Sequence, residues 1–213
     1  GADWFGVATM EEALDLRRQG IYRPILVLGY TDPAAAPILA SNTITQTLFS
    51  EEYALQLAAE AAKAGCVVDC HVKIDTGMSR LGFDAENENT VLMVEKLAQS
   101  GSLRITGIFT HFAVADEDTA VSMAFTERQF TLFMEVCNRL QADGVNVGLR
   151  HCCNSAGLLR FPNYAMDAVR VGSAILGRLS FKGSYNLKRV GTLEATVDEL
   201  RWLPKGHSCG YGA

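Results

Sequence analysis

The sequence has no excess of basic residues, no long apolar run and no initiator methionine, and each lack narrows what the chain can be. Lysine and arginine number 19 against 24 aspartates and glutamates, giving a net charge of −5 and an isoelectric point near 5.4. The basic face that a nucleic-acid partner demands is therefore missing. No stretch reaches the roughly 18 apolar residues needed to span a bilayer, and no charged segment followed by an apolar one opens the chain. A cytosolic setting is expected, with no membrane segment in this chain; a membrane domain upstream stays open. Gly1-Ala2-Asp3-Trp4-Phe5 runs straight into an apolar stretch, as expected of a chain cut from a longer one. Disulfides are not needed either. There are six cysteines in 213 residues, but a chain of this length, 48% hydrophobic and 20% charged, can bury a sizeable core, so reduced thiols are expected.

What is present is rhythm. Strand-like runs fall at 4–8, 25–28, 43–48, 67–74, 105–109, 147–150 and 168–171, with helical segments between most of them, the pattern of parallel β/α units that need crossovers. Thr9 with Glu12, and again Thr126 with Gln129, read as capping boxes. Ser50 ahead of Glu51 and Glu52 opens another helix with acids against the positive end of its dipole. Seven strand-like units before Gly172 predict a (β/α)8 TIM-type barrel lacking its first β/α unit, since the polar groups end successive strands and do not cluster at one switch point. Residues 1–180 form that partial barrel in this reading. Residues 181–213 begin a β-rich C-terminal domain, because Leu193, Ala195 and Val197 alternate with polar neighbours.

The chemistry-bearing residues sit at strand ends. Alternation places His71, Lys73 and Asp75 on one face of a strand, and Arg80 follows a turn bracketed by Gly77 and Gly82. A salt-bridged strand end would explain a lone lysine and aspartate as well. His111 closes the run Ile108-Phe109-Thr110, where a satisfied structural histidine is the plainer reading. His151-Cys152-Cys153-Asn154-Ser155 ends another strand, and its adjacent cysteines point to opposite faces, so no metal site is expected. Asp167 to Ala174 follows, with backbone amides around Gly172 and Ser173 able to cradle a phosphate or simply to form a tight turn. Tyr211 stands among glycines near the end.

Taken in order, Lys73-Ile74-Asp75-Thr76-Gly77-Met78-Ser79-Arg80-Leu81-Gly82, Thr110-His111-Phe112, His151 to Ser155, Val169-Arg170-Val171-Gly172 and Gly210-Tyr211-Gly212 resemble the alanine racemase family over nearly the whole chain. The resemblance implies a homodimeric enzyme of the isomerase class that interconverts L- and D-alanine on pyridoxal 5′-phosphate with two bases, its active sites shared between subunits. It implies that Arg170 bonds the cofactor's ring nitrogen and that His111 links Arg170 to Tyr211 of the other subunit. It implies that Tyr211 is a catalytic base, that Asn154, Ser155, Gly172 and Ser173 lie at the cofactor and its phosphate, and that Leu28 lies beside it. Arg80 resembles the arginine at the cofactor's phenolic oxygen and the substrate carboxylate. Lys73 resembles the lysine that part of the family carbamylates.

Two departures qualify the match. Gly172-Ser173-Ala174-Ile175-Leu176-Gly177 is similar to the serine/alanine racemases of vancomycin-resistance systems, which opens serine as a substrate. The family's cofactor-bearing lysine stands in a Lys-Ala-Asn-Ala-Tyr-Gly type motif on the first strand, and the sequence contains no such motif, so the chain alone is expected to be inactive. The alternatives are a barrel that binds pyridoxal phosphate without racemising anything and a structural or regulatory barrel.

Overall fold

The computed structural model describes residues 1–183 and 185–209. Strand β1 (Phe5–Val7) leads through helix α1 (Met10–Arg18) to β2 (Ile25–Val27), and α2 (Ala36–Ser41) leads to β3 (Ile44–Leu48). Helix α3 (Glu51–Lys63) connects to β4 (Val68–Asp75), a short β5 (Phe83–Asp84) follows, and α4 (Thr90–Ala98) connects to β6 (Leu103–Phe109). The long α5 (Ala120–Ala142) returns the chain to β7 (Leu149–His151), and α6 (Ser155–Arg160) follows it. The sheet order is β1-β2-β3-β4-β6-β7, with β5 paired only to β4, and every pairing is parallel.

The local signals explain the helices. Thr9 accepts from the amide of Glu12, whose carboxylate takes the Ala8 amide at 2.7 Å, and Ser50 accepts from the Tyr53 amide. The outward faces of the strands pack under these helices: Ile25, Leu39, Ile44, Leu57, Val72, Ile74 and Phe133 are all essentially inaccessible to solvent.

The sheet curls like part of a barrel. Trp4 precedes β1 and His71 lies on β4, three strands away, which on a flat sheet would separate them by about 14 Å. Their ring centroids are 5.3 Å apart. His151, on the opposite edge strand β7, reaches the same His71 ring at 5.1 Å. Both edges thus bend toward the inward side chain of the middle strand, and the architecture is that of a truncated α/β TIM-type barrel.

Some expectations are corrected. Thr126 and Gln129 do not cap a helix: α5 begins at Ala120 with Thr119 accepting from the Ser122 amide, and both residues lie buried within it. Thr126 stands mid-helix, where the following amides already bond carbonyls one turn back, and its hydroxyl donates to the Ser122 carbonyl. No strand forms at 168–171. The Arg150 amide there bonds the Asp167 side chain in place of a neighbouring carbonyl, leaving only isolated backbone bonds from Asp167 to Arg150 and from Arg170 to Cys153. The alternating stretch 192–202 is also without strand; Leu193 and Trp202 are almost fully exposed, so among the described residues no neighbouring strand pairs with it.

The curl leaves little room at its centre. The β4–β6 register slips between Cys70 and His71, which sets Gly107 beside His71, and a Cβ on Gly107 would stand 2.5 Å from the imidazole. Gly107→Ala should therefore lower stability by about 1–3 kcal/mol, the range for overfilling a packed core. Gly101→Ala, where a Cβ meets nothing within 4 Å, is the control, and equal urea midpoints for the two would contradict the packing argument.

Candidate active site

The carboxyl ends of β6 and β7 converge on Arg170. Its Nη1 donates to His151 Nδ1 at 2.6 Å and to the His151 carbonyl at 3.1 Å. Its Nη2 donates to the carbonyls of Thr110 at 2.6 Å and Cys152 at 3.3 Å, and to His111 Nδ1 at 3.2 Å. The guanidinium also stands 5.0 Å over the Phe109 ring, which stacks on His151. Burial pulls Arg170 down to about 10, so it keeps its charge at neutral pH.

A guanidinium can only donate, and that fixes the protons of its neighbours. His151 must accept at Nδ1, so it carries its proton on Nε2 and donates 2.9 Å to His71 Nδ1. His71 in turn holds its proton on Nε2, a buried atom without a hydrogen-bond partner among the described residues. His111 accepts from Arg170 as well, which leaves its Nε2–H free to face the site. The amide nitrogen of Asn154, 3.5 Å from that Nε2, is another donor and no true partner, because the Asn154 oxygen is committed to the Gly157 amide. All three imidazoles are neutral. Burial, then the Arg170 charge, lowers His71 and His111 to about 4 and His151 to about 2.

Ser155 offers an anion seat. Its hydroxyl oxygen accepts from the amides of Gly172 at 3.0 Å and Ala174 at 3.2 Å, which occupies its lone pairs and frees its own proton to point outward. Ser173 is exposed on the same turn, its carbonyl accepting from Arg178.

On β4, Lys73 is buried, and burial followed by the charge of Arg80 lowers it to about 8. Asp75, the nearby carboxylate, is occupied: its Oδ1 accepts from the amides of Gly77 at 2.9 Å and Ser79 at 3.1 Å, shaping the loop that presents exposed Arg80. Among the described residues neither Lys73 nor Arg80 forms a salt bridge. Leu28 is half-buried beside Gly6, at the β1/β2 side of the sheet, while Arg170, His111, Asn154, Ser155 and Gly172 gather at the β6/β7 side. Tyr211 lies outside the described residues. A surface cavity of about 650 Å³ lined by Val145, Gly148, Arg150 and Asp167 opens at the opposite end of β7, away from these groups.

The roles of His71 and Gln129 were not foreseen from sequence. For His71 the signal was there, since its period-two spacing from Lys73 and the pairing of its strand with the one ending at His111 place it inside the curl.

Neutral buried imidazoles make the protein acid-sensitive. An unfolded histidine binds its proton near 6.5 and these bind theirs near 4 or lower, so on acidification through that window the unfolded chain gains more protons and stability falls. Between pH 7 and pH 5 the expected loss is up to about 2 kcal/mol per imidazole. His71→Asn should remove one share of it. A urea-midpoint profile that is flat from pH 7 to pH 5 would contradict the proton assignments.

Residues 1–180 match the family model of the alanine racemase N-terminal domain. The whole chain is 38% identical to an alanine racemase of Desulfovibrio desulfuricans and 36% identical to one of Clostridium tetani, covering 57% and 55% of those proteins. The chain thus spans little more than half the length of the curated relatives it matches. A solved alanine racemase of Clostridium difficile in complex with cycloserine superposes with a TM-score of 0.76 at 35% identity, over 81% of this chain and 46% of that one. A histidine racemase of Leuconostoc mesenteroides superposes at 0.67 with 31% identity, over 81% and 45%. By these matches the chain belongs to the alanine racemase family, which depends on pyridoxal 5′-phosphate.

Proposed function

We propose that the protein carrying this chain is an amino-acid racemase that interconverts L- and D-alanine, with serine as a second substrate, in a homodimer whose sites are shared between subunits. The observation that carries this reading is the fixed donor pattern around Arg170. Its four Nη protons are taken by protein acceptors, and Nε–H is the donor no described residue engages. That donor suits a ring nitrogen, and the outward proton of Ser155, whose oxygen is held by the Gly172 and Ala174 amides, suits a phosphate. The residues therefore fit the family's cofactor.

Arg170 would hold the ring nitrogen, Ser155 with the Gly172 and Ser173 turn the phosphate, and Asn154 would border it, with Leu28 on the far wall. When bound, pyridoxal phosphate supplies an electron-withdrawing system that makes an amino acid's α-proton removable. Arg170 moderates that pull, because a guanidinium does not give its proton to the ring. Inversion then needs a base on each face of the α-carbon. Tyr211, contributed by the neighbouring subunit, serves one face. In this reading the free Nε2–H of His111 would face its hydroxyl, with the Arg170 charge behind the imidazole favouring a phenolate there. The other base is the family's cofactor-bearing lysine, which this reading places in a part of the protein that the chain does not span.

Lys73 and Arg80 need an anion between them. A lysine lowered to about 8 has a sizeable uncharged fraction near neutrality, the form that combines with carbon dioxide, and a carbamate would turn repulsion of Arg80 into attraction. The protein grown with 13C-bicarbonate should show a carbamate carbon resonance that is lost in Lys73→Met. Its absence from the wild type would remove this role.

The function itself is tested by racemisation assays of the whole protein with alanine, serine and histidine. Alanine should be the best substrate, and turnover of none of the three would overturn the proposal. Tyr211→Phe keeps the ring and removes the proton acceptor, so turnover should fall at least about a hundredfold. Exchange of the α-proton with solvent deuterium should survive better for the enantiomer handled by the lysine. Equal suppression for both enantiomers, with cofactor still bound, would make Tyr211 a structural residue.

A further inference from the structure

Gln129 caps nothing, yet it is one of the few polar side chains with no exposure at all. It projects from α5 between the two loops that carry the site. Its Nε2 donates to the Thr76 hydroxyl at 3.2 Å and to the His111 carbonyl at 3.2 Å, and its Oε1 accepts from the Ala113 amide at 2.9 Å. The amide orientation is unambiguous, because a carbonyl must face the nitrogen and an N–H must face the oxygen. Thr76 passes the connection on, its hydroxyl lying 2.8 Å from that of Thr110. One side chain thus joins the end of β4 to the end of β6, tying together Thr76, Thr110, His111 and Ala113, four residues that no strand pairing links at that level.

The β4 loop needs such an anchor. Gly77, Ser79 and Gly82 all take positive φ, at 124°, 55° and 131°, and Ser79 is not a glycine. Beyond the Asp75 carboxylate, α5 supplies the outside support: the Phe125 ring occupies the space where a side chain on Gly77 would stand, and Gln129, one turn further along, takes Thr76. We propose that Gln129 is a positioning residue for the active site, fastening the loop that presents Arg80 to the loop that presents His111. The fastening stands on the geometry; its service to a reaction rests on the racemase reading.

The test compares the whole protein with Gln129→Met, which keeps a straight side chain of similar size and loses all three bonds, and with Leu140→Ala. Leu140 is a fully buried core residue of the same helix, remote from both loops, and it reports what loss of stability alone does. Hydrogen exchange of the Ala113 amide and of the 77–82 segment should be at least about tenfold faster in Gln129→Met than in Leu140→Ala at matched distance below their melting temperatures. In racemisation, the KM for the amino acid should rise about tenfold with kcat within about threefold, since Arg80 is the group displaced, while Leu140→Ala leaves KM unchanged. Equal exchange in the two variants would overturn the fastening. Faster exchange with an unmoved KM would overturn the positioning role and leave the racemase reading intact. Absence of racemisation in the wild type would sink that reading, with the exchange measurement still deciding the fastening. If Gln129→Met does not fold, Thr76→Val, which removes the hydroxyl that Gln129 grips, takes the same measurements with the same contrast required.

Discussion

The Arg170 guanidinium has to stay charged inside a protein wall, and the arrangement of the site follows from meeting that requirement. A half-buried charge is tolerated when most of its donors are satisfied, and here three main-chain carbonyls and two imidazoles supply the acceptors. Three of those five acceptors are backbone atoms at the ends of β6 and β7, so the cation binds the two strand ends together where the strands themselves stop pairing. The same contacts decide the tautomers of His151 and, through it, His71. A structural need and a chemical one are met by one set of bonds: the arginine holds the loops, and the loops leave its Nε–H and the His111 Nε2–H as the donors that face outward.

Much of this was legible in the sequence because strand periodicity and strand-end position are local properties. Six of the seven strand-like runs became strands within a few residues, and the structure sets Arg170 against His111 and Gly172 against Ser155 although no strand forms at 168–171. The misreadings came from nonlocal bonds. Thr126 and Gln129 have the spacing of a cap, but Gln129 is drawn inward by partners at positions 76, 111 and 113 that no window around it contains. Residues 168–171 have the composition of a strand, but the Asp167 side chain takes the amide that a ladder would need. The two-residue β5 was too short to announce itself, and the register slip beside Gly107 is visible only once β4 and β6 are paired.

Charge distribution ties fold to chemistry. The chain carries a net charge of −5, yet the site gathers Lys73, Arg80 and Arg170. This is possible because many acidic groups are spent elsewhere: Asp69 on Arg104, Asp118 on Arg160, Asp167 on Arg150 and Glu86 on Arg128 pair at the periphery. Asp75, the carboxylate that acts on Lys73, has one oxygen held by the loop amides of Gly77 and Ser79. Cations and fixed N–H and O–H donors gathered in this way favour an anionic group such as a phosphate or a carboxylate. The neutrality of the three histidines serves the arginine. Protonation of His111 or His151 would turn an acceptor for Arg170 into a donor, and protonation of His71 would remove the acceptor that His151 Nε2 uses, so their burial keeps the guanidinium seated as much as its charge enforces their neutrality.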